Sequence, residues 1–313
     1  MGEQKPLPIK CLSDVQAVDL LSLPHFSSGI ESLDRVIQGL FENQLIVVTG
    51  KRGQGKSTFA SWILANALNQ GRKVFAYSGE LPDFHFRNWL DFQISGIEGI
   101  NKTQNKYGDA IYSLKQEYQD KLTAFYKGRA YIFDNSFVDE ENTLQKTLCD
   151  SIVYAATELG CKVILIDNIM TAIDISDNDA YKVQSSFVKK VKALARQYDL
   201  SIILIAHPRK TESGKELAND DVSGTGDITN IADIVLAYSR IPESKPESKQ
   251  YQGAISVTKN RLTGKLAVGD GTIKVIYSEA TKRIVSNANE GAKKLCCFSK
   301  NFEETKEMES FPF

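Results

Sequence analysis

Several features are scarce in this sequence, and each scarcity excludes a class of function. No apolar run approaches the roughly 20 residues that a bilayer-crossing helix requires, so no membrane span is expected. The first residues, Met1-Gly2-Glu3-Gln4-Lys5-Pro6, lack the basic-then-apolar layout of a secretory signal. Proline also stands where a myristoylation site needs Ser or Thr. There are only three histidines, and the five cysteines (Cys11, Cys149, Cys161, Cys296 and Cys297) include no CxxC pair. That argues against a zinc site and against a disulfide framework, and it points to a reducing, cytosolic compartment. An excess of charge of one sign is missing too, since 38 Lys and Arg against 39 Asp and Glu leave a net charge of −1. A surface that bound duplex DNA throughout would be basic, so any nucleic-acid contact has to be local.

What is present suits one large α/β domain: 313 residues, 42% apolar and 25% charged. Residues 45–49, 163–166 and 202–205 are short, wholly apolar runs of the kind found in buried parallel strands. Residues 73–78 and 130–133 read as two more strands. A helix is expected from Lys56 to about Gln70, closed by Gly71. Another helix carries Ala180, Val183, Phe187, Val191, Leu194 and Tyr198 as one apolar stripe, which puts Lys189, Lys190, Lys192 and Arg196 on its solvent side. After Asp233 the pattern changes to strands without helices, at 234–238, 254–258, 273–277 and 283–285. Parallel strands joined by helices, then an antiparallel edge, predict a mostly parallel twisted sheet with helices on both faces. The expected domain spans residues 28–286. Residues 1–27 form a strap or linker with a short amphipathic segment over 12–21, either packed on the domain's own surface or docked on a neighbouring subunit. Residues 287–313 are expected to be a loosely ordered tail.

Gly50-Lys51-Arg52-Gly53-Gln54-Gly55-Lys56-Ser57 fits the phosphate-loop pattern GxxxxGK[ST], directly after an apolar strand and directly before a helix. Gly50, Gly53 and Gly55 let the backbone curl, so that the N–H groups of the loop, Arg52 and Gln54 included, converge on one anion. The helix start at Lys56, Ser57 and Thr58 adds its partial positive charge. Lys56 would reach the β- and γ-phosphates, and Ser57 would offer its hydroxyl to Mg²⁺. Asp167, at the end of an expected neighbouring strand, is the second magnesium anchor; read alone, it and Asn168 could also cap the next turn. Glu80 follows a strand expected beside that of the phosphate loop. It is either the group that orients or deprotonates water or a helix-start carboxylate, and the residues alone leave both open.

The remaining parts follow in a telling order. Ser28-Gly29-Ile30-Glu31-Ser32-Leu33-Asp34-Arg35 with Gly39-Leu40 leads in, and Ser78-Gly79-Glu80 follows the phosphate loop. Then come Asp167, Ala206-His207-Pro208-Arg209-Lys210, Asp221-Val222-Ser223-Gly224-Thr225-Gly226-Asp227-Ile228, Ala232-Asp233-Ile234-Val235 and Lys259-Asn260-Arg261-Leu262-Thr263-Gly264. Over roughly residues 28–285 this series resembles the RecA-like ATPase domain of the DnaB-type replicative helicases, especially the phage primase-helicase and mitochondrial Twinkle branch.

The resemblance implies a RecA-like P-loop NTPase core that binds ATP and Mg²⁺. It makes Glu80 the catalytic carboxylate and His207 the group that senses the γ-phosphate, although a lone His after a buried strand would otherwise read as structural. It makes Arg261, with Lys259, the basic pair that reaches into a neighbouring subunit's nucleotide. Arg240 and Tyr277 would flank the base. Residues 209–220 would be a central-channel loop whose cations, Arg209, Lys210 and Lys215, track single-stranded DNA, diluted by Glu212, Glu216, Asp220 and Asp221. The implied protein is a hexameric 5′-to-3′ helicase of replication in a bacterial or phage-infected cell, with a primase or a helicase loader as partner. Two departures stand out. Asn43 occupies a position where related chains often carry Gly, and only 27 residues precede the core, so the chain is expected to be a stand-alone motor or a piece of a larger system. A RecA/RadA-like recombination ATPase and a non-motor regulatory scaffold of the same fold remain as rival readings.

Overall fold

The computed structural model describes residues 9–19, 22–137, 141–173, 180–207 and 226–299. The chain begins with β1 (His25–Phe26), α1 (Glu31–Ile37), β2 (Leu40–Phe41), β3 (Gln44–Thr49), α2 (Lys56–Asn69) and β4 (Val74–Ser78). It continues through α3 (Asp83–Ser95), the hairpin β5 (Ile100–Gln104) and β6 (Ala110–Leu114), α4 (Gln116–Tyr126), β7 (Ala130–Ile132) and α5 (Leu144–Thr157). Next are β8 (Val163–Asp167), α6 (Ala180–Gln197), β9 (Ser201–Ile205) and α7 (Gly226–Ile231). The antiparallel strands that close the sheet follow β10 (Ile234–Arg240): they are β11 (Gly253–Asn260), β12 (Ile273–Tyr277) and β13 (Ile284–Val285), before α8 (Ala288–Ala292).

Nine strands form one sheet in the order β13-β12-β11-β10-β3-β9-β8-β4-β7. From β10 to β7 all neighbours are parallel, and β11 to β13 add an antiparallel edge. Every residue of β3, β4, β8 and β9 is buried, because helices cover both faces. Alternation along β3 shows the two layers. Ile46 and Val48 pack with Phe59, Trp62 and Ile63 of α2, while Leu45 and Val47 pack with Leu148 of α5 and Phe187 and Val191 of α6. Among the described residues no helix is long and apolar enough to cross a membrane.

Three expectations are corrected. Neither β4 nor β8 is hydrogen-bonded to β3; β9 and β8 lie between β3 and β4. The crossover through α2 skips those places, and later strands fill them. Lys192 is not on the solvent side of α6 but is buried at 7% exposure, paired with Asp233 at the start of β10. An ion pair supplied from another element is invisible to helical periodicity.

The beginning of the expected tail is folded. Asn287 caps α8, Leu295 and Cys296 are buried, and the Arg283 guanidinium donates to Gly291 O and Lys293 O, both at 2.7 Å. A buried guanidinium must satisfy its donors, and here the chain after β13 does so. Residues 300–313 lie outside the described residues. Among the described residues of the strap, Leu12–Asp14 forms a turn of 3₁₀-helix, and residues 9–19 are exposed throughout.

Candidate active site

The carboxyl ends of the parallel strands gather at one edge of the sheet, and the phosphate loop caps β3 there. Its backbone explains its glycines. Gly50 has φ 139°, and a Cβ would lie 2.2 Å from the carbonyl oxygen of Tyr238, so no side chain fits. Gly53 (φ 72°) and Gly55 (φ 101°) take the left-handed turns that lead into α2. Asn43, before β3, has φ 69°, a conformation that asparagine tolerates well.

Lys56, Ser57, Asp167, Glu80 and His207 come together at this edge. Lys56 is buried and its Nζ donates to Lys51 O at 2.9 Å. Burial holds its pKa below the ordinary lysine value, against the pull of Asp167 and Glu80. Asp167 is 2% exposed and accepts a hydrogen bond from Ser57, which bridges the gap left by the intervening β9. Burial pushes the Asp167 pKa up to about 6, the Ser57 bond opposing it. Glu80, at the corner between β4 and α3, is exposed and lies 3.6 Å from His207 Nε2. Burial, then the charge of Lys56, keeps the His207 pKa below its usual value. Its Nδ1 is buried with no hydrogen-bond partner among the described residues.

Beside the loop lies a cavity of about 320 Å³ whose lining includes Gln54, Gly55, Thr58, Tyr238, Arg240 and Tyr277. The Arg240 backbone N–H donates to Gln54 Oε1 at 2.7 Å, tying the loop to β10. Arg52 is exposed at the loop's crest. This arrangement can hold a polyphosphate on the loop, a hard cation between Ser57 and Asp167, and an aromatic base in the cavity.

The family model described as DnaB-like helicase C terminal domain matches residues 26–286. The chain belongs to the DnaB-like helicase family. It is 23% identical over 244 residues to the replicative DNA helicase DnaB of Haemophilus influenzae, covering 73% of this chain and 50% of that protein. With the DNA helicase/primase of enterobacteria phage T3 it shares 24% identity over 226 residues, 68% of this chain and 38% of that one. The chain thus spans half or less of the length of these curated relatives. Among solved structures, a DnaB-like replicative helicase described with its primase interactions superposes with a TM-score of 0.63 at 17% identity, over 84% of this chain and 62% of that one. A separate ATPase domain gives a TM-score of 0.62 at 17% identity, over 84% and 91% respectively. These likenesses show the RecA-type fold.

Not all expected site residues of this DnaB-like chain share that edge. Lys259 and Arg261 lie at the opposite one, because β11 runs antiparallel and Asn260 pairs with Ile234, the first residue of β10. β3 is six residues long, so the two edges are roughly 20 Å apart. Lys259 Nζ donates to Thr229 O (2.7 Å) and Asn230 O (2.8 Å), and Arg261 Nη2 donates to Asn230 O (2.6 Å). Arg209, Lys210 and Lys215 lie outside the described residues.

Two residues emerge that sequence reasoning did not place in the site. Tyr238 walls the cavity and stacks on Phe59 of α2 at 5.4 Å. Asn168, read only as a turn cap, does cap that turn, its Oδ1 accepting from Met170 N at 2.8 Å. Its Nδ2 also donates to Glu80 Oε1 and, at 3.3 Å, to His207 Nε2. Its place directly after Asp167 was the available signal.

Proposed function

We propose that this chain is the ATP-hydrolysing motor of a ring-forming DNA helicase, translocating 5′ to 3′ on single-stranded DNA during replication. The observation that carries this reading is the division of the charged groups between the sheet's two edges. Lys56, Ser57, Asp167, Glu80 and His207 are gathered at one edge, while Lys259 and Arg261, some 20 Å away, cannot serve a nucleotide on their own chain. In this reading a second copy brings them.

The donors fit a magnesium nucleotide. Ser57 and Asp167 offer oxygen ligands only, as a hard cation prefers, and burial outweighs the nearby Lys56 charge in pushing the Asp167 pKa up to about 6. Bound there, Mg²⁺ would neutralise charge on the β- and γ-phosphate oxygens. Lys56 grips those oxygens from the helix start. Glu80, exposed and with one oxygen held by Asn168, orients the attacking water and takes its proton. His207 faces Glu80 and registers whether the γ-phosphate is present. Arg240 and Tyr277 sandwich the base. Arg261 of one copy, with its Lys259, stabilises transition-state charge in the next.

In this reading Arg209, Lys210 and Lys215 of six copies supply the cations that contact single-stranded DNA. Such a ring tracks a phosphate backbone even though the whole chain is nearly neutral. The bacterial and phage origins of the relatives support a cytoplasmic setting and a primase or loader as partner. The test is ATPase rate with and without single-stranded DNA, together with the native mass of the assembled species. DNA-stimulated hydrolysis by a closed ring is the expected result. Open filaments on DNA would favour a recombination ATPase, and no DNA stimulation a regulatory scaffold.

A further inference from the structure

The edge that carries Lys259 and Arg261 contains a buried charge cluster to which the reading above gives no role. Asp233 is 8% exposed, immediately before β10, and its two carboxylate oxygens are divided between two tasks. Oδ2 faces inward, where it accepts from the Leu45 N–H at 2.8 Å and from Lys192 Nζ. Lys192 also donates to Asn43 O at 3.3 Å, so this half of the cluster joins α6, the turn before β3, and β10. Oδ1 faces outward and forms an ion pair with Arg261 Nη1 at 3.8 Å. The main chain repeats the contact, since the Arg261 N–H donates to Asp233 O at 2.9 Å. The Arg261 side chain itself is about half exposed, at 47%.

A pair that served only to fasten α6 to the sheet would need Oδ2 alone. Burying a carboxylate and an ammonium together is rarely worth more to stability than an apolar pair of the same shape. The second oxygen sits where it constrains a long side chain that would otherwise sample many rotamers. We infer that Asp233, itself anchored by Lys192, is a positioning residue that holds the Arg261 guanidinium in place for the neighbouring copy's nucleotide. This inference rests on the proposal that Arg261 acts across a subunit boundary. It adds the residues that pre-order the arginine before any neighbour arrives, so that less side-chain freedom is lost when the boundary forms.

The test uses the full chain carrying Asp233→Asn together with Lys192→Met, so that no buried cation is left unpaired. The expected result is an unchanged melting temperature, an unchanged KM for ATP and a kcat lower by about 10²-fold, the scale of a misplaced catalytic group. A merely structural role would not lower kcat while leaving the melting temperature and KM unchanged. Added to Arg261→Ala, the Asp233 and Lys192 changes should lower kcat no further, because they act only through that arginine. If Arg261→Ala loses turnover but the Asp233/Lys192 variant keeps it, or if the losses multiply, the positioning role is overturned while the trans arginine stands. If Arg261→Ala turns over normally, the boundary reading fails and this inference fails with it. Should the neutral pair not fold, Asp233→Glu keeps both charges and displaces one. A drop in kcat with KM unchanged supports the inference, and native turnover overturns it.

Discussion

The two edges of the central sheet use buried charge in opposite ways. At the carboxyl edge the charges are only partly compensated. Burial pushes the Asp167 pKa up to about 6 and pulls the Lys56 pKa down, and His207 keeps a buried nitrogen without a partner among the described residues. At the amino edge the charges are satisfied internally: Lys192 by Asp233 and Asn43, and Lys259 and Arg261 by the last carbonyls of α7. Cations at a helix carboxyl end are favourably placed. One edge is therefore built to receive a charged ligand. The other holds its cations in order on its own chain. The same strands make both, because a parallel strand has one end for each task.

Breaking the amino edge should have the largest effect. Arg261→Ala should lower ATP turnover by about 10³-fold, as loss of an arginine finger does. It should leave nucleotide affinity unchanged in a titration with a fluorescent analogue. Loss of affinity as well would mean that the two edges are not separate. Glu80→Gln strikes the carboxyl edge and should lower kcat by about 10²-fold with little change in KM, read in single-turnover assays. Mixing these two variants sharpens the comparison, since a boundary that pairs Glu80 of the first with Arg261 of the second is intact. Partial recovery of turnover is expected, and none in any ratio would contradict action across a boundary. Asn168→Ala should lower kcat about tenfold by freeing Glu80 and His207 from their shared amide, a positioning effect. Tyr277→Ala should act on binding alone, raising KM by up to about tenfold, the scale of one lost base-stacking contact.

The sheet was legible because its strands are continuous apolar runs bounded by turn residues, and a strand buried on both faces has no other way to be written. The phosphate loop was legible because three glycines, a lysine and a serine at fixed spacing admit few other uses. What sequence could not convey was adjacency. Nothing in residues 73–78 says that β8 and β9 will enter between them and β3, and nothing in α6 says that Lys192 turns inward to meet Asp233. Asn168 illustrates the same limit, for its carbonyl oxygen serves the turn that sequence suggests and its amide serves a site assembled from three strands. The β5–β6 hairpin shows the reverse case, a local feature that went unread: Asn105 Oδ1 accepts from Tyr107 N at 2.8 Å and Asp109 N at 2.9 Å, closing its turn.

The Arg283 side chain decides where the autonomous unit stops. Its guanidinium is 1% exposed, lies 5.5 Å above the Trp62 ring and donates to Gln93 as well as to Gly291 and Lys293. A truncated chain ending at residue 286, where the family match closes, would strand that cation beneath an opened surface and bare the pocket that Leu295 and Cys296 fill. Among the described residues, the segment after β13 is thus a clasp on the folded domain.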